Sequence, residues 1–424
     1  MSQTTSVPAK ASVPATTPTA TTSATTAATT YVDTPSLLNR WQLIGVSLTV
    51  LFGVLSAVIQ IWSWQSDGHA AGDTEQLVRV QEIQSSLLRA DALATNTFLV
   101  GGQGSNDQKV EYDAAISSAL AATVSAARAQ PADREALGVV NAEINDYSIL
   151  VAQARANNRQ NLPVGAAYQS LASQQLRDGA LPALDSLVEA NTERAVSAMG
   201  GQHPFWLLLV SIPVLLGLWW INRNLARTFR RRINVGVAIA GALVFGVSLV
   251  TVVGALGQHN ANDRLREGEF ASAVASATAR TAANDAKANE SLRLIKRGSG
   301  AAHEEGWGVA AETVVSNVPD RLALLWSTYA ERHASLVELD DGNDWNGAVT
   351  IATTSDEAVG TTPVLNELDA ALADRVAEAS AAASDELRRG RMLSLSIALL
   401  TALLGAAAAF AVSRGIAVRR KEFS

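Results

Sequence analysis

The sequence predicts an all-α membrane protein with four transmembrane helices and two extracytoplasmic up-down four-helix bundles. Three observations predict it. Residues 41–64, 205–222, 233–256 and 392–413 are apolar and contain no Asp, Glu, Lys, Arg or His. At about 1.5 Å per residue each is long enough to cross a hydrocarbon core of about 30 Å. The polar segments between them, residues 65–204 and 257–391, are nearly equal in length and place apolar residues at alternating helical steps. Charge is also unequally divided: residues 65–204 hold 16 acidic against 9 basic residues, and residues 257–391 hold 22 against 13.

Residues 1–35 are mostly Thr, Ala, Ser and Pro, cannot bury a core, and read as a disordered cytoplasmic tail. A Thr-rich tail also offers acceptor sites to a kinase. The first apolar run exceeds a signal-peptide core and its flanks lack an A-x-A site, so it reads as a retained anchor. Trp41, Trp62, Trp64, Trp206, Trp219 and Trp220 mark the edges of the first two spans, where amphipathic rings prefer the interface.

The short link at residues 223–232 carries Arg223, Arg227, Arg230, Arg231 and Arg232, and the tail at residues 414–424 carries Arg414, Arg419, Arg420 and Lys421. The positive-inside rule places both links, and both termini, in the cytoplasm. These cations are candidates for a cytosolic protein contact or for anionic lipid headgroups. Arg388, Arg389 and Arg391 lie on the other side of the fourth span, against the rule, and are expected to snorkel. No feature suggests nucleic acid, and the Cys-free chain excludes disulfides, thiol chemistry and Cys metal sites.

In the first polar segment Val80, Ile83, Leu87, Ala90 and Ala94 form a seam. In the second, Phe270, Val274, Ala277, Thr281, Asn284 and Ala288 do the same. Gly, Pro and Asn interrupt the first segment at residues 101–107, 131–133 and 157–163, leaving four helices. The second breaks at residues 298–303, 319–320 and 340–346, with a further interruption at 360–363, on the same four-helix plan. DALATNTFL from Asp91 matches DAKANESLR from Asp285, and Asp133-Arg134 matches Asp320-Arg321, so the chain reads as a duplication.

Helices that begin and end at the membrane run up, down, up and down. The first-to-second and third-to-fourth connections then form the membrane-distal tip, about 50 Å from the bilayer. At the second tip Trp307 and Trp345 lie among Glu304, Glu305, Asp340, Asp341 and Asp344. Trp345 and Trp307 with Asp340, Asp341 and Asp344 are the candidate partner-docking residues, because a Trp rimmed by polar groups is a frequent hot spot. The alternative for each Trp is to plug the end of a helical core.

Enzyme readings find no support. HEEGW at His303 lacks the second His of a zinc HExxH helix, and ELDDGNDWNG puts Trp345 where a calcium loop needs Gly. His69, His203 and His259 sit beside span ends as interfacial residues. A transporter is disfavoured because no ionisable residue lies inside a span and only Pro213 interrupts one. Gly236, Ala240, Gly241 and Gly246 in the third span, with Ser396, Gly405 and Ala409 in the fourth, would admit close helix approach. No cofactor or metal is expected.

The arrangement of a Thr/Ser-rich tail, four spans, paired helical outer segments and short basic ends resembles the extracytoplasmic module of bacterial chemoreceptors. It resembles more closely the GlnX membrane proteins of high-GC Gram-positive bacteria. That resemblance implies a sensor that relays nutrient state, as an amino-acid signal, from a solute-binding lipoprotein outside to a Ser/Thr protein kinase inside. The rival expectation is a structural or adhesion scaffold that binds envelope partners through its bundles.

Overall fold

A computed structural model describes residues 34–100, 106–229 and 234–421. The chain is an all-α membrane protein, with no strand among the described residues and four helices long and apolar enough to cross a bilayer. The helices are α1 (Thr34–Leu99), α2 (Asn106–Ala129), α3 (Arg134–Arg159), α4 (Val164–Gln175), α5 (Leu181–Met199), α6 (Pro204–Phe229), α7 (Val235–Leu265), α8 (Ala271–Ile295), α9 (Ala301–Asn317), α10 (Ala323–Asp341), α11 (Trp345–Thr353) and α12 (Thr361–Lys421). α1 is one rod of 66 residues, about 100 Å long at helical rise. It forms the first span and the first bundle helix without a joint. π-helical turns at Leu176–Ala180 and Arg266–Phe270 likewise weld α4 to α5 and α7 to α8.

The helix ends fall where local chemistry removes the next hydrogen bond. Pro131 opens a 3-10 turn between α2 and α3, because a proline nitrogen cannot donate and fits a first helical turn. Asn161, at φ 55°, turns the chain after α3, a left-handed conformation that Asn tolerates. The second half departs from the expected plan at one place. Its third-to-fourth connection holds an additional nine-residue helix, α11, started by the Asp344 carboxylate accepting from Gly347 N–H. This adds a helix to the second tip.

Four spans share one apolar core of Leu38, Phe52, Leu218, Ile221, Val237, Val244, Val412 and neighbours. Large side chains such as Leu216, Phe245, Leu403 and Phe410 face outward, as lipid exposure allows. Helix backbones approach one another where Gly faces Gly: Gly53 meets the backbone of Gly405, and Gly236 that of Gly415. Gln60 donates to Thr401 at 3.1 Å and Gln42 to Ser413 at 3.0 Å, both across α1 and α12. Of the small residues singled out in the sequence, Gly241 and Gly246 have open space where a Cβ would stand.

Each bundle has its own core. In the first, Val80, Ile83, Leu87, Ala90 and Ala94 pack with Leu137, Ile144, Tyr147 and Leu184. In the second, Ala279, Ala283 and Ala286 meet Val314, Trp326, Tyr329, Leu368 and Leu372. The bundles also pack on one another. α8 is buried along most of its length, because its small Ala, Ser and Asn side chains let neighbouring helices close on it from several sides.

Candidate functional site

The two bundles are joined differently at their ends and in the middle. Near the membrane, Ala70, Ala71, Leu77, Ala195 and Met199 of the first half pack with Leu265, Phe270, Ala383 and Leu387 of the second. At the distal tip Leu99 joins Leu294, Leu336, Ala348 and Ala352. Between these apolar ends the contact is ionic. Arg177, on the π-turn after α4, places Nη1 3.0 Å from Asp91 and Nη2 2.6 Å from Asp285. Asp91 and Asp285 are the matching first residues of the repeated DALATNTFL and DAKANESLR segments, so one guanidinium clamps the same position of both copies. The π-turn alters the register of the helix at Arg177, and such turns recur at functional positions.

A second knot lies one helical turn away. Asp369 on α12 accepts from Arg89 on α1 at 2.8 Å, from Arg280 Nε on α8 at 2.9 Å and from Asn284 at 2.7 Å. Arg280 also reaches Glu82 at 2.6 Å. Burial pushes the Asp369 carboxyl up, but Arg280 and Arg89 outweigh it and hold the group below the usual carboxylate range. At Asp285 burial wins over Arg177, and the carboxyl sits above its ordinary value. Buried ion pairs of this kind add little net stability but tolerate no missing partner.

At the membrane end Asp67 is fully buried and has no ion-pair partner among the described residues. Gln202 donates to both its oxygens at 3.1 Å, and Asn262 donates to it at 3.1 Å and to the Met199 carbonyl at 2.9 Å. Burial raises the Asp67 carboxyl despite these amides. This knot ties α1, the link after α5 and α7 together directly above three spans. Arg388 pairs with Glu75, and Arg391 stacks 4.4 Å over Trp64. Two of the three Arg residues that break the charge rule thus pack against α1 at the base of the first bundle, while Arg389 pairs with Glu386 on its own helix.

At the second tip Arg293 gathers Asp340 at 3.1 Å, Asp341 at 2.5 Å and Glu304 at 3.3 Å. These residues, with Arg297, Asn343 and Trp345, line a cavity of about 710 Å³. Trp345 donates its indole N–H to the Leu294 carbonyl at 3.0 Å and lies 3.8 Å under the Arg297 guanidinium. Trp345 and Arg297 also wall a second cavity of about 520 Å³ with Phe98, Leu162 and Pro163 from the first tip. Every non-glycine residue at positive φ among those described, Asn161, Arg297 and Asn343, lies at these turns. Arg297, at φ 35°, is the strained one, since only Asn and Gly visit that region cheaply.

The structure brings Asp340, Asp341 and Trp345 to one cavity, and uses Asp344 to cap α11. It sends Trp307 elsewhere. Trp307 stacks on His333 at 3.9 Å and on Trp326 at 6.1 Å, against the second core. Trp326 packs inside. Among the expected basic residues, Arg223 lies 5.4 Å over Trp219, while Arg227 and Arg414 are exposed. Arg230, Arg231 and Arg232 lie outside the described residues, as do the side chains of Arg419, Arg420 and Lys421. The residues that sequence reasoning missed are Arg177, Lys287, Glu290 and His333. No group of His, Asp and Glu suited to a metal ion occurs among the described residues.

Residues 66–200, the whole first bundle from the upper half of α1 to the end of α5, match the family model described as Actinobacterial sensor domain. No curated protein and no solved structure matches the chain. The first bundle is thus similar to a sensor module, within a helical membrane protein.

Proposed function

We propose that the chain is a transmembrane relay that passes an extracytoplasmic nutrient signal, carried as an amino acid by a solute-binding lipoprotein, to a cytosolic Ser/Thr protein kinase. The observation that carries this reading is the Arg177 clamp, which couples a sensor-type bundle to a second bundle through one half-buried guanidinium. The lipoprotein docks at the joint tip, where Trp345 and Arg297 bridge cavities of both bundles. A partner seated there contacts both copies and biases their relative packing, a rigid-body shift of the kind that switching proteins use. The shift passes down the continuous rods α1, α7 with α8, and α12 into the spans. Its output is the Arg loop at residues 223–232 and the basic tail, which face the cytoplasm by their charge.

The test uses cells with and without the gene. An external amino-acid pulse changes phosphorylation of the kinase's target only where the chain is present, and Trp345→Ala abolishes the response while membrane insertion is retained. Impermeant thiol reagent labels Ser299→Cys and spares Ala226→Cys. Equal responses with and without the gene would leave a scaffold, and labelling of Ala226→Cys would reverse the topology.

A further inference from the structure

Behind the tip cavity lies a chain of charges that reaches the cavity wall only through Glu304. Glu290 on α8 is fully buried, and its Oε1 accepts from Lys287 Nζ at 2.6 Å and from Thr361 Oγ1 at 2.8 Å. Lys287 also donates to the Ala352 carbonyl at 2.8 Å. Oε2 of Glu290 lies 3.0 Å from Nδ1 of His333, on α10, whose Nε2 lies 3.4 Å from Oε1 of Glu304 on α9. His333 is 2% exposed and its ring lies flat on Trp307, 3.9 Å away at 6°. Glu304 in turn belongs to the Arg293 cluster that lines the cavity.

A neutral imidazole has one N–H to give. With that N–H on Glu290, the other nitrogen would turn a lone pair toward the Glu304 carboxylate. The imidazolium satisfies both carboxylates and ties α10 to α8 and α9 at once. The charged groups around it agree with this. α8 supplies Lys287, Glu290 and Arg293, α9 supplies Glu304, and α10 adds the neutral Tyr329 together with Asp340 and, at its end, Asp341. Without His333 these six charges leave a net of two negatives in the interior and cavity wall, and one proton halves the excess. The flat stack on Trp307 also favours a cation over a neutral ring.

We infer that His333 is a proton-controlled latch on the membrane-distal tip: its imidazolium holds one oxygen of Glu304 while Arg293 holds the other, and loss of the proton leaves Glu304 to the Arg293 cluster alone and reshapes the docking cavity. The consequence for docking rests on the tip-docking reading, whereas the latch itself does not. Burial works against the charge on His333, but Glu290 and Glu304 raise its pKa above the ordinary value. Burial likewise opposes ionisation of Glu290, yet Lys287 and His333 bring its carboxyl down to about 2. A raised histidine contributes stability that is complete below its unfolded value of about 6.5 and is lost as pH rises through the folded value. The window therefore opens above about pH 6.5.

The experiment takes the full chain in lipid nanodiscs, without a partner, from pH 6 to pH 9. The melting temperature of the unsubstituted chain falls by about 3 °C or more across this range, and the fall is absent in His333→Gln. Tryptophan emission rises over the same interval, as the quenching imidazolium discharges, and the rise is lost in Trp307→Phe. Identical pH profiles for the unsubstituted chain and His333→Gln would overturn the latch. Should His333→Gln not fold, the double variant His333→Gln with Glu304→Gln, which leaves no unpaired carboxylate at that ring, gives the same comparison, and the Trp307 emission decides independently. Capture of the solute-binding protein is then measured at pH 6 and pH 9. A titrating latch with capture insensitive to Trp345→Ala removes the docking reading and leaves the latch.

Discussion

Replacing Arg177 with Met lowers the stability of the full chain by about 3 kcal/mol, the low end of the range for a broken buried pair. The low end applies because the Arg177 side chain is 26% exposed and Asp91 keeps a hydroxyl donor, Ser173 Oγ at 2.6 Å. Asp91 is otherwise left as a buried carboxylate without a cation, and Asp285 loses the group that opposes its desolvation. The pH dependence has a defined sign. A carboxyl raised in the folded state costs stability above its unfolded value and costs nothing once protonated. Arg177→Met is therefore least stable at neutral pH and recovers as pH falls through the raised folded value of Asp285. Adding Asp91→Asn to Arg177→Met restores part of the loss by removing the orphaned charge. Thermal melting in one detergent across pH 4 to 8 checks both effects, and a pH-independent Arg177→Met penalty would count against an ionic seam.

Gly236→Val is the second large effect, and it acts inside the membrane. A Cβ at Gly236 would stand 2.4 Å from the Gly415 Cα and 2.5 Å from the Ala411 carbonyl oxygen. Both neighbours are backbone, so no rotamer change relieves the clash, and α7 and α12 must separate. Overpacking of this kind costs about 1–3 kcal/mol. Separation falls at the end of the spans that carries Arg414, so the proposed relay is lost with it. Gly415→Val meets the same wall from the other side and behaves alike, whereas Gly246→Val, with open space at that position, is neutral. Melting temperatures of the three variants separate contact from general loss of a glycine, and equal effects at Gly246 and Gly236 would refute the contact.

Much of the architecture is legible in the residues because it depends on local rules. Hydropathy marks the spans, and the alternating step of three and four marks Val80, Ile83 and Leu87, which are fully buried. Gly, Pro and Asn mark the helix ends, since each alters what the backbone can donate or tolerate. The seam is not legible in the same way. Arg177 is separated by 86 residues from Asp91 and by 108 from Asp285, and no periodicity reports which Arg crosses between bundles. The repeat did single out Asp91 and Asp285 as equivalent, which was the one available signal. The π-turn that aims Arg177 has no sequence signature either. At the tip, loop position placed Trp307 and Trp345 together, but helix rotation separates them, one to a ring stack on His333 and one to the cavity wall. His333 reads as one of five scattered His until α8, α9 and α10 bring two glutamates to its ring.

Coupling from the tip to the opposite end of the spans can be measured directly in this Cys-free chain. Ala226→Cys at the end of α6 and Ala417→Cys at the end of α12 accept spin labels, and their separation is read in nanodiscs with and without an amino-acid-loaded solute-binding protein bound at the tip. A relay predicts a changed distance distribution on binding, lost in Gly236→Val and altered in Arg177→Met. An unchanged distribution at saturating binding would contradict it and leave a scaffold whose bundles bind without transmitting.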